Sequence, residues 1–178
     1  MTVAELLASY RAKTEEEARD VARIRALASS EKDPWSRRLP LHVTASAFVV
    51  HPDSGRVLLR WHARQQAWLQ VGGHGEPGER EPLGVALREG QEETGLTDLV
   101  PWPGEALLQV AVVPVPAKGA EPAHEHADLR FVLATGQPDA VRPERPGAEL
   151  RWLSLPDALA EASEANVREA LSRVGQLL

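Results

Sequence analysis

The sequence of 178 residues contains no cysteine, one tyrosine and two phenylalanines. The lack of cysteine excludes a disulfide framework, a thiolate zinc site, an iron–sulfur cluster and a cysteine nucleophile. No stretch approaches the roughly 18 uninterrupted apolar residues of a membrane-spanning helix. The N-terminal segment also lacks the basic start and apolar run of a secretory signal. These absences predict a cytoplasmic protein that has no membrane partner.

Basic residues are fewer than acidic ones, 20 against 26, which gives a formal net charge of −6. This balance argues against general nucleic-acid binding, because such binding depends on neutralising phosphates with Lys and Arg. It remains compatible with an anionic small substrate if a metal ion supplies positive charge. The contents of 43% hydrophobic and 26% charged residues are ordinary for a globular protein.

The first 40 residues predict a helical extension followed by a linker. Residues 2–30 are rich in Ala, Glu, Leu and Arg, and Thr14 with Glu17 forms a capping-box pattern for a second helix. Pro34 and Pro40 exclude a regular helix across the following linker. We expect this extension, residues 1–40, to pack on the domain or on a second subunit, with a substrate lid as the alternative.

Residues 41–178 mix strand and helix patterns and predict a single domain. The strands are predicted over 41–50, 56–63, 67–71, 106–115, 128–135 and 149–154. Helices are predicted over 82–94, from Pro156 onward and over 163–177. Hairpins mixed with helices indicate a mixed-sheet α/β or α+β sandwich.

The strongest chemical signal lies in residues 72–96. Glu89, Glu92 and Glu93 are spaced by three and four residues, which places the three carboxylates on one helical face. Their mutual repulsion would destabilise the helix, and a hard divalent cation would remove that cost. Gly90 costs about 1 kcal/mol relative to alanine unless close packing requires it. The alternative is a solvated acidic helix, but it leaves the preceding glycine-rich loop unexplained.

This segment, residues 73–96, resembles the Nudix box. Gly73 is followed by five residues and Glu79, and later by Arg88-Glu89, Glu92-Glu93, Gly95 and an apolar residue. Two departures are visible, because eight rather than seven residues separate Glu79 from Arg88 and Gly90 replaces an apolar residue. The extra residue leaves open whether Glu79 or Glu81 fills the positioning role. The resemblance extends over about residues 41–175.

The resemblance implies a Nudix-type α/β/α sandwich with a mixed β-sheet, whose box helix lines the cleft. It further implies Mg²⁺ or Mn²⁺ held by Glu89, Glu92 and Glu93 close to Gly73, with Gly72 against the substrate. Arg88 would orient a box glutamate. The implied reaction is hydrolysis of a diphosphate bond in a nucleoside diphosphate linked to another moiety, by in-line attack of water on phosphorus.

Two other functions stay open at this point. A binding module that senses a nucleotide or metabolite without cleaving it is favoured only by the departures from the box. An isomerase of prenyl diphosphates would need a cysteine, which the chain lacks. The resemblance is compatible with a homodimer, although no residue pattern indicates one.

The general base has two candidates. The resemblance offers the box residue Glu89 or a glutamate in a loop before the closing strand, where Glu144 lies. The alternative for Glu144 is a solvated loop charge.

A second polar cluster follows at His124, His126 and Asp128, which would point to one side of a strand. We expect these residues to contact substrate phosphates or to bind a further cation, with a hydrogen-bonded entry to the strand as the alternative. His74 is a candidate for substrate contact. His42, His51 and His62 are interpreted as structural or exposed. Among five tryptophans, Trp35 and Trp102 lie beside prolines and are candidates for stacking on a base.

Overall fold

Helices cover both faces of one eight-stranded mixed sheet in the computed structural model, which describes residues 1–178. The helices are α1 (Val3–Ser9), α2 (Glu15–Ser30), α3 (Pro82–Thr94), α4 (Leu155–Glu161) and α5 (Ala165–Val174). The strands are β1 (Leu41–His51), β2 (Arg56–His62), β3 (Ala67–Leu69), β4 (Val71–His74), β5 (Val100–Pro101), β6 (Gln109–Val115), β7 (His124–Ala134) and β8 (Leu150–Ser154). The predicted α/β/α sandwich is confirmed.

Strand β1 is the centre of the sheet and changes partner along one edge. Its other edge pairs with β7 in parallel from Leu41 to Val50. On the changing edge, Thr44–Ala47 pairs with β4 and Val49–His51 pairs with β2, both antiparallel. The sheet therefore forks between β2 and β4. Strands β3 and β8 extend the β2 side, while β5 and β6 pair with β7.

Two cores lie on opposite faces of the sheet, because alternate residues of β1 point in opposite directions. Val43 and Val49 of β1 belong to the larger core, which includes side chains of α1, α2 and α3. Phe48 and Val50 belong to the second core, with side chains of α4 and α5. None of the helices is both long enough and apolar enough to cross a membrane.

The N-terminal helices are integrated into the larger core through Leu7 and Ile24, both fully buried. The backbone N–H of Glu17 donates to the side chain of Thr14, as the capping pattern predicts, and this caps α2. The Glu17 carboxylate is itself buried and accepts two hydrogen bonds from the Arg173 guanidinium of α5, at 2.8 and 3.0 Å. The extension therefore packs on residues 41–178 of the same chain.

Helix α3 begins at Pro82, which suits a first turn, and ends before Gly95 in the left-handed conformation (φ 69°). Gly90 has a packing reason, because a Cβ there would lie 3.0 Å from Leu99 and 3.3 Å from Leu133. A larger residue at this position would push the helix away from the sheet.

The predicted strand over 67–71 is two strands, β3 and β4. Gly72 and Gly73 lie within β4 and pair with Ser46 and Ala45, instead of opening a loop. Strand β7 starts at His124, four residues before the predicted start, because pairing with β1 and β6 extends it. The short strand β5 carries no alternating pattern and was not predicted.

Candidate active site

A cavity of about 230 Å³ opens at the fork of the sheet. Its lining is mostly polar and includes Arg60, Arg64, Gln70, His74, Asp128 and Arg130. Gly72 and Gly73 also line it, so β4 forms one wall. The cavity therefore places positive side chains beside the strand that leads into α3.

The carboxylates of α3 approach the backbone of β4 closely. A Cβ on Gly73 would lie 2.7 Å from Oε1 of Glu89, so any side chain there would displace the Glu89 carboxylate. The N–H of Gly72 donates to Oε2 of Glu93 at 3.1 Å. Gly72 has φ 147°, and a Cβ on it would lie 2.4 Å from the Cβ of Ser46. The double glycine thus brings the strand against two carboxylates.

Glu93 is the most buried of the three box carboxylates. Nη1 of Arg60 lies 3.1 Å from its Oε1, and the two side chains are 9% and 10% exposed. Burial raises the pKa of Glu93 to about 7, although Arg60 and the Gly72 N–H oppose the rise. Burial also raises the pKa of Glu89, against the effect of Arg88. The neighbouring donors therefore do not fully compensate the Glu89 and Glu93 carboxylates for the loss of solvent.

Arg88 connects the box residues. Its guanidinium donates two hydrogen bonds of 3.0 Å to Glu79 and one each to Glu89 and Glu92, at 3.0 and 2.9 Å. A fifth bond, of 2.9 Å, goes to the carbonyl of His74. Such charge-assisted and bidentate bonds fix side-chain orientation. Arg88 also holds the pKa of Glu79 below its usual value.

The inserted residue is absorbed before the helix, and Glu79 makes the contact with Arg88. The side chain of Glu81 is 71% exposed and pairs with the N-terminal amine at 3.0 Å. Glu81 lies at the N-cap of α3 without a side-chain capping bond. Its position therefore favours Glu79 for the positioning role.

The remaining glutamates lie at the rim. The side chain of Glu92 is 52% exposed, so it turns toward solvent on the same helix. Glu144 is 47% exposed, and its Oε2 lies 3.8 Å from Nη2 of Arg60. Its charge also contributes to the raised pKa of Glu93. Glu144, a loop residue, thus lies near Arg60, the arginine that also contacts Glu93 of the box.

Asp128 lies in the cavity wall, and protein donors occupy both of its oxygens. Thr44 donates to Oδ1 at 3.1 Å, while Ser46, Gln70 and Arg130 donate to Oδ2 at 2.9, 3.2 and 2.8 Å. The carboxylate is therefore well satisfied. We expect Asp128 to position its neighbours, instead of contacting a phosphate as the sequence suggested.

Sequence reasoning missed Arg60 and the polar half of β1. A signal was present, since His42, Thr44 and Ser46 alternate along β1 before Phe48 continues the same face as core. Arg60 interrupts the apolar run of β2. Both patterns show a strand face that is polar at one end and apolar at the other.

The predicted histidines lie beside the cavity. His74 and His126 line it, and burial lowers the pKa of His126 to about 4. The ring of His124 contacts that of His126, at 5.1 Å between centroids. His42, interpreted from sequence as structural or exposed, is buried beside them.

The predicted stacking role of Trp35 is wrong. Its ring is buried in the larger core, and a Cβ on Gly75 would lie 2.7 Å from it. Trp102 lies away from the cavity at the fork and lines another, of about 740 Å³, with Tyr10 and Arg173. Neither ring lines the cavity at the fork.

The donor set fits a hard divalent cation. Glu89, Glu92 and Glu93 offer carboxylate oxygens from one helix, which is the chemistry that Mg²⁺ and Mn²⁺ prefer. The raised pKa values of Glu89 and Glu93 show carboxylates that a cation would stabilise. Nε of Arg60 and Oε1 of Gln70 are buried without hydrogen-bond partners in the cavity wall. Both residues line the cavity, so each of these atoms lacks a partner beside the candidate site.

Solved structures share this fold. One is a binary complex of an Ap4A hydrolase from C. elegans, with TM-score 0.61, 22% identity, and coverage of 75% of this chain and 95% of that one. Another is a dihydroneopterin triphosphate pyrophosphohydrolase from E. coli, with TM-score 0.60, 19% identity and coverage of 76% and 94%. A third is a MutT protein from Methanosarcina mazei Go1, with TM-score 0.53, 21% identity and coverage of 83% and 97%. At these identities the likeness concerns the fold.

No curated protein matches the sequence significantly. The family model described as NUDIX domain, in contrast, matches residues 40–174, most of the chain. That match spans the fork, the double glycine of β4, the carboxylates of α3 and the closing helices. It agrees with the sequence prediction of a pyrophosphohydrolase. The chain belongs to the Nudix family.

Proposed function

We propose that this protein is a hydrolase, dependent on Mg²⁺ or Mn²⁺, that cleaves a diphosphate bond. The substrate would be a nucleoside diphosphate linked to another moiety. The proposal is carried by one observation, which is that the carboxylates of Glu89 and Glu93 contact the double glycine in the wall of an arginine-lined cavity. A cytoplasmic location and a homodimer remain predictions from the sequence.

Three arginines, Arg60, Arg64 and Arg130, line the cavity and offer donors to a diphosphate. Each is also paired with a carboxylate, of Glu93, Glu121 and Asp128 respectively, so the cation must supply the net positive charge. When bound, the divalent cation supplies further positive charge and Lewis acidity to the reacting phosphate. Arg60 Nε is buried without a protein partner, so a change in the Arg60 side chain on binding could give this atom a phosphoryl acceptor.

Arg88 would act by positioning. It holds Glu89 and Glu92 through one nitrogen and Glu79 through the other two. Because it also binds the His74 carbonyl, it fixes the helix relative to the end of β4. The carboxylates are thus oriented before substrate arrives, which lowers the cost of binding a cation.

The reaction needs a base for the attacking water. The water oxygen forms a bond to phosphorus while the bond to the bridging oxygen breaks, and the leaving phosphate keeps the electron pair. A carboxylate oxygen of Glu89 or Glu144 takes the proton. Glu89 belongs to the box and lies against β4. Glu144 lies on a loop outside the box, and its ion pair is with Arg60.

The proteins of similar structure are named for different polyphosphates, so the fold does not determine the leaving group. Metal-dependent release of a nucleoside monophosphate would identify the class.

The test is a screen of nucleoside diphosphate derivatives with Mg²⁺ and with Mn²⁺. It compares wild type with a Glu92→Gln, Glu93→Gln double variant. Product formed only by wild type with metal supports the proposal. Thermal stabilisation by a nucleotide without turnover would favour a binding module. Full turnover in the double variant would show that the cation site is assigned incorrectly.

A further inference from the structure

Four histidine rings form a cluster at the polar end of the sheet. His42 comes from β1, His74 from β4, and His124 and His126 from β7. His42 contacts the other three rings, with centroids 5.1–5.2 Å apart, and His126 lies 4.8 Å from His74 and 5.1 Å from His124. This four-histidine cluster shares no side chain with the carboxylates of α3.

Strand register explains the cluster. His42 is the partner of His126 in the parallel ladder of β1 and β7, and His124 lies two residues away on the same face. His74 pairs with Thr44, the next residue of that face on β1. Three neighbouring strands therefore deliver four imidazoles to one spot.

The ring nitrogens have the spacing of metal ligands. One nitrogen from each of His42, His124 and His126 lies within 4.8 Å of the others. The Nε2 atoms of His42 and His74 are 3.1 Å apart, and those of His124 and His126 are 3.2 Å apart; without an ion each pair shares a hydrogen bond. In a tetrahedral zinc site with bonds of 2.0–2.1 Å, ligand atoms are about 3.3 Å apart.

Backbone carbonyls orient two of the rings. Nδ1 of His42 lies 3.0 Å from the carbonyl oxygen of Leu39, and Nδ1 of His124 lies 3.0 Å from that of Pro122. A carbonyl only accepts, so each Nδ1 carries the hydrogen and each neutral ring has a lone pair on Nε2. Such carbonyl bonds accompany metal-ligating histidines.

We propose that His42, His124 and His126, whose ring nitrogens lie within 4.8 Å of one another, bind a transition-metal ion such as Zn²⁺, and that a shift of the adjacent His74 ring supplies the fourth ligand. Imidazole suits zinc and its neighbours, whereas Mg²⁺ prefers oxygen, so this site and the carboxylates of α3 select different ions. Asp128 is excluded from the ligand set because four protein donors occupy its oxygens.

The ion would stabilise one wall of the cavity. It would link β1, β4 and β7 through side chains, in addition to the ladders that already join them. His74 follows Gly73 directly, and its carbonyl accepts from Arg88. Holding the His74 ring in place would therefore also hold the His74 carbonyl, which accepts a hydrogen bond from the Arg88 guanidinium of α3.

The test uses the full chain, first stripped with a chelator. Co²⁺ serves as the spectroscopic probe and Zn²⁺ as the calorimetric one. Variants His124→Ala and His126→Ala remove ligands, while His51→Ala is the matched control, because His51 bonds Ser54 outside the cluster. The Glu92→Gln, Glu93→Gln variant controls for the carboxylate site.

We expect wild type, His51→Ala and the glutamine variant to bind one Co²⁺ with the intense visible absorption of tetrahedral cobalt, displaced by Zn²⁺. Zn²⁺ at about 100 times its Kd should raise the Tm by roughly 5–10 °C. Both cluster variants should lose the absorption and this shift. Thermal unfolding of each variant without metal shows whether the variant folds. His124→Gln replaces any alanine variant that does not fold.

Three results would overturn the proposal. They are absence of tetrahedral cobalt in wild type, its survival in folded His124 and His126 variants, or its loss in the glutamine variant alone. A raised KM in the cluster variants, without metal binding by wild type, would instead assign the imidazoles to substrate phosphates. Failure of hydrolysis in the screen leaves these readouts unchanged, so the two proposals fail separately.

Discussion

Arg60 and Glu93 meet across the fork of the sheet, with Nη1 and Oε1 3.1 Å apart and both side chains buried. Arg60 belongs to β2, whereas Glu93 belongs to α3 on the other side of the cleft. The contact opposes protonation of Glu93, yet burial keeps the pKa at about 7. Because Glu93 is proposed to bind the cation, a pKa near neutrality has a measurable consequence.

We expect Mn²⁺ affinity to weaken as pH falls through about 7. The raised pKa means that Glu93 is protonated below this pH, and the proton must leave before a cation binds. Affinity should fall by up to about tenfold per pH unit on the acidic side. Isothermal titration at pH 6, 7 and 8 measures it. Glu93→Gln should bind more weakly and lose most of the slope, and an unchanged slope in that variant would contradict the assignment.

Glu79 and Glu81 offer a matched pair for the positioning role. Glu79→Gln weakens the paired bonds to Arg88 and should reduce kcat/KM and Mn²⁺ affinity by about 10–100-fold. Glu81→Gln removes only an exposed pair with the N-terminus and should leave both values within about twofold. Equal losses in the two variants would show that Glu79→Gln does not act through its hydrogen bonds to Arg88.

Glu144→Gln tests the base. If Glu144 is the base, kcat should fall by about 10²-fold or more without weaker Mn²⁺ binding, because Glu144 lies outside the α3 carboxylates and can take a proton without holding the cation. Glu89→Gln, in comparison, should weaken Mn²⁺ binding as well. A loss of less than tenfold in Glu144→Gln would assign the base to Glu89.

Gly72→Ala should destabilise the fold by at least about 3 kcal/mol. Gly72 has a φ of 147°, a conformation that residues with a side chain rarely adopt. A Cβ there would also lie 2.5 Å from the Cα of Ser46, and a backbone atom cannot move aside as a side chain can. Gly104→Ala is the control, since a Cβ there meets nothing within 4 Å. Urea denaturation followed by circular dichroism compares them, and similar midpoints would refute the strain argument.

Arg173→Met should cost about 3–5 kcal/mol, because it leaves the Glu17 carboxylate buried without its guanidinium. Arg23→Met removes an exposed pair with Glu125 and should cost less than about 1 kcal/mol. Urea denaturation at pH 7 distinguishes the two, and equal losses would show that burial does not decide the effect.

The same pair predicts acid sensitivity. Burial alone would raise the pKa of Glu17, but bonds from Arg173 and the backbone N–H of Lys13 lower it to about 2. A depressed pKa contributes stability that is complete above about pH 4.5 and is lost as pH falls toward 2. Wild type should therefore lose stability over that range, and Glu17→Gln should lose less.

The sequence predicts the architecture well where a pattern is local. The spacing of Glu89 and Glu93, Pro82 at the start of α3 and Gly95 at its end are read directly from neighbours along the chain. The Glu79 ambiguity is different, because an insertion changes spacing without showing which side chain turns toward Arg88. Only the path of the loop decides that.

Long-range relationships were not predictable from one sequence. Nothing near Arg60 shows that it meets Glu93, since the contact depends on β1 exchanging β2 for β4. Likewise, His42 and His126 are 84 positions apart and become neighbours only through parallel register. Trp35 was misinterpreted because adjacent prolines indicate a loop without showing whether its side chain is covered.

The fork of the sheet also bears on substrate size. Along β1, the β2 side is joined only through Val49–His51, while the β4 side has its own ladder from Thr44 to Ala47. The width of the cleft is therefore set by how far β2 and β4 diverge from β1, and the Arg60–Glu93 contact of 3.1 Å spans that gap. A leaving group held beside this contact would meet walls from two separately paired pieces of sheet.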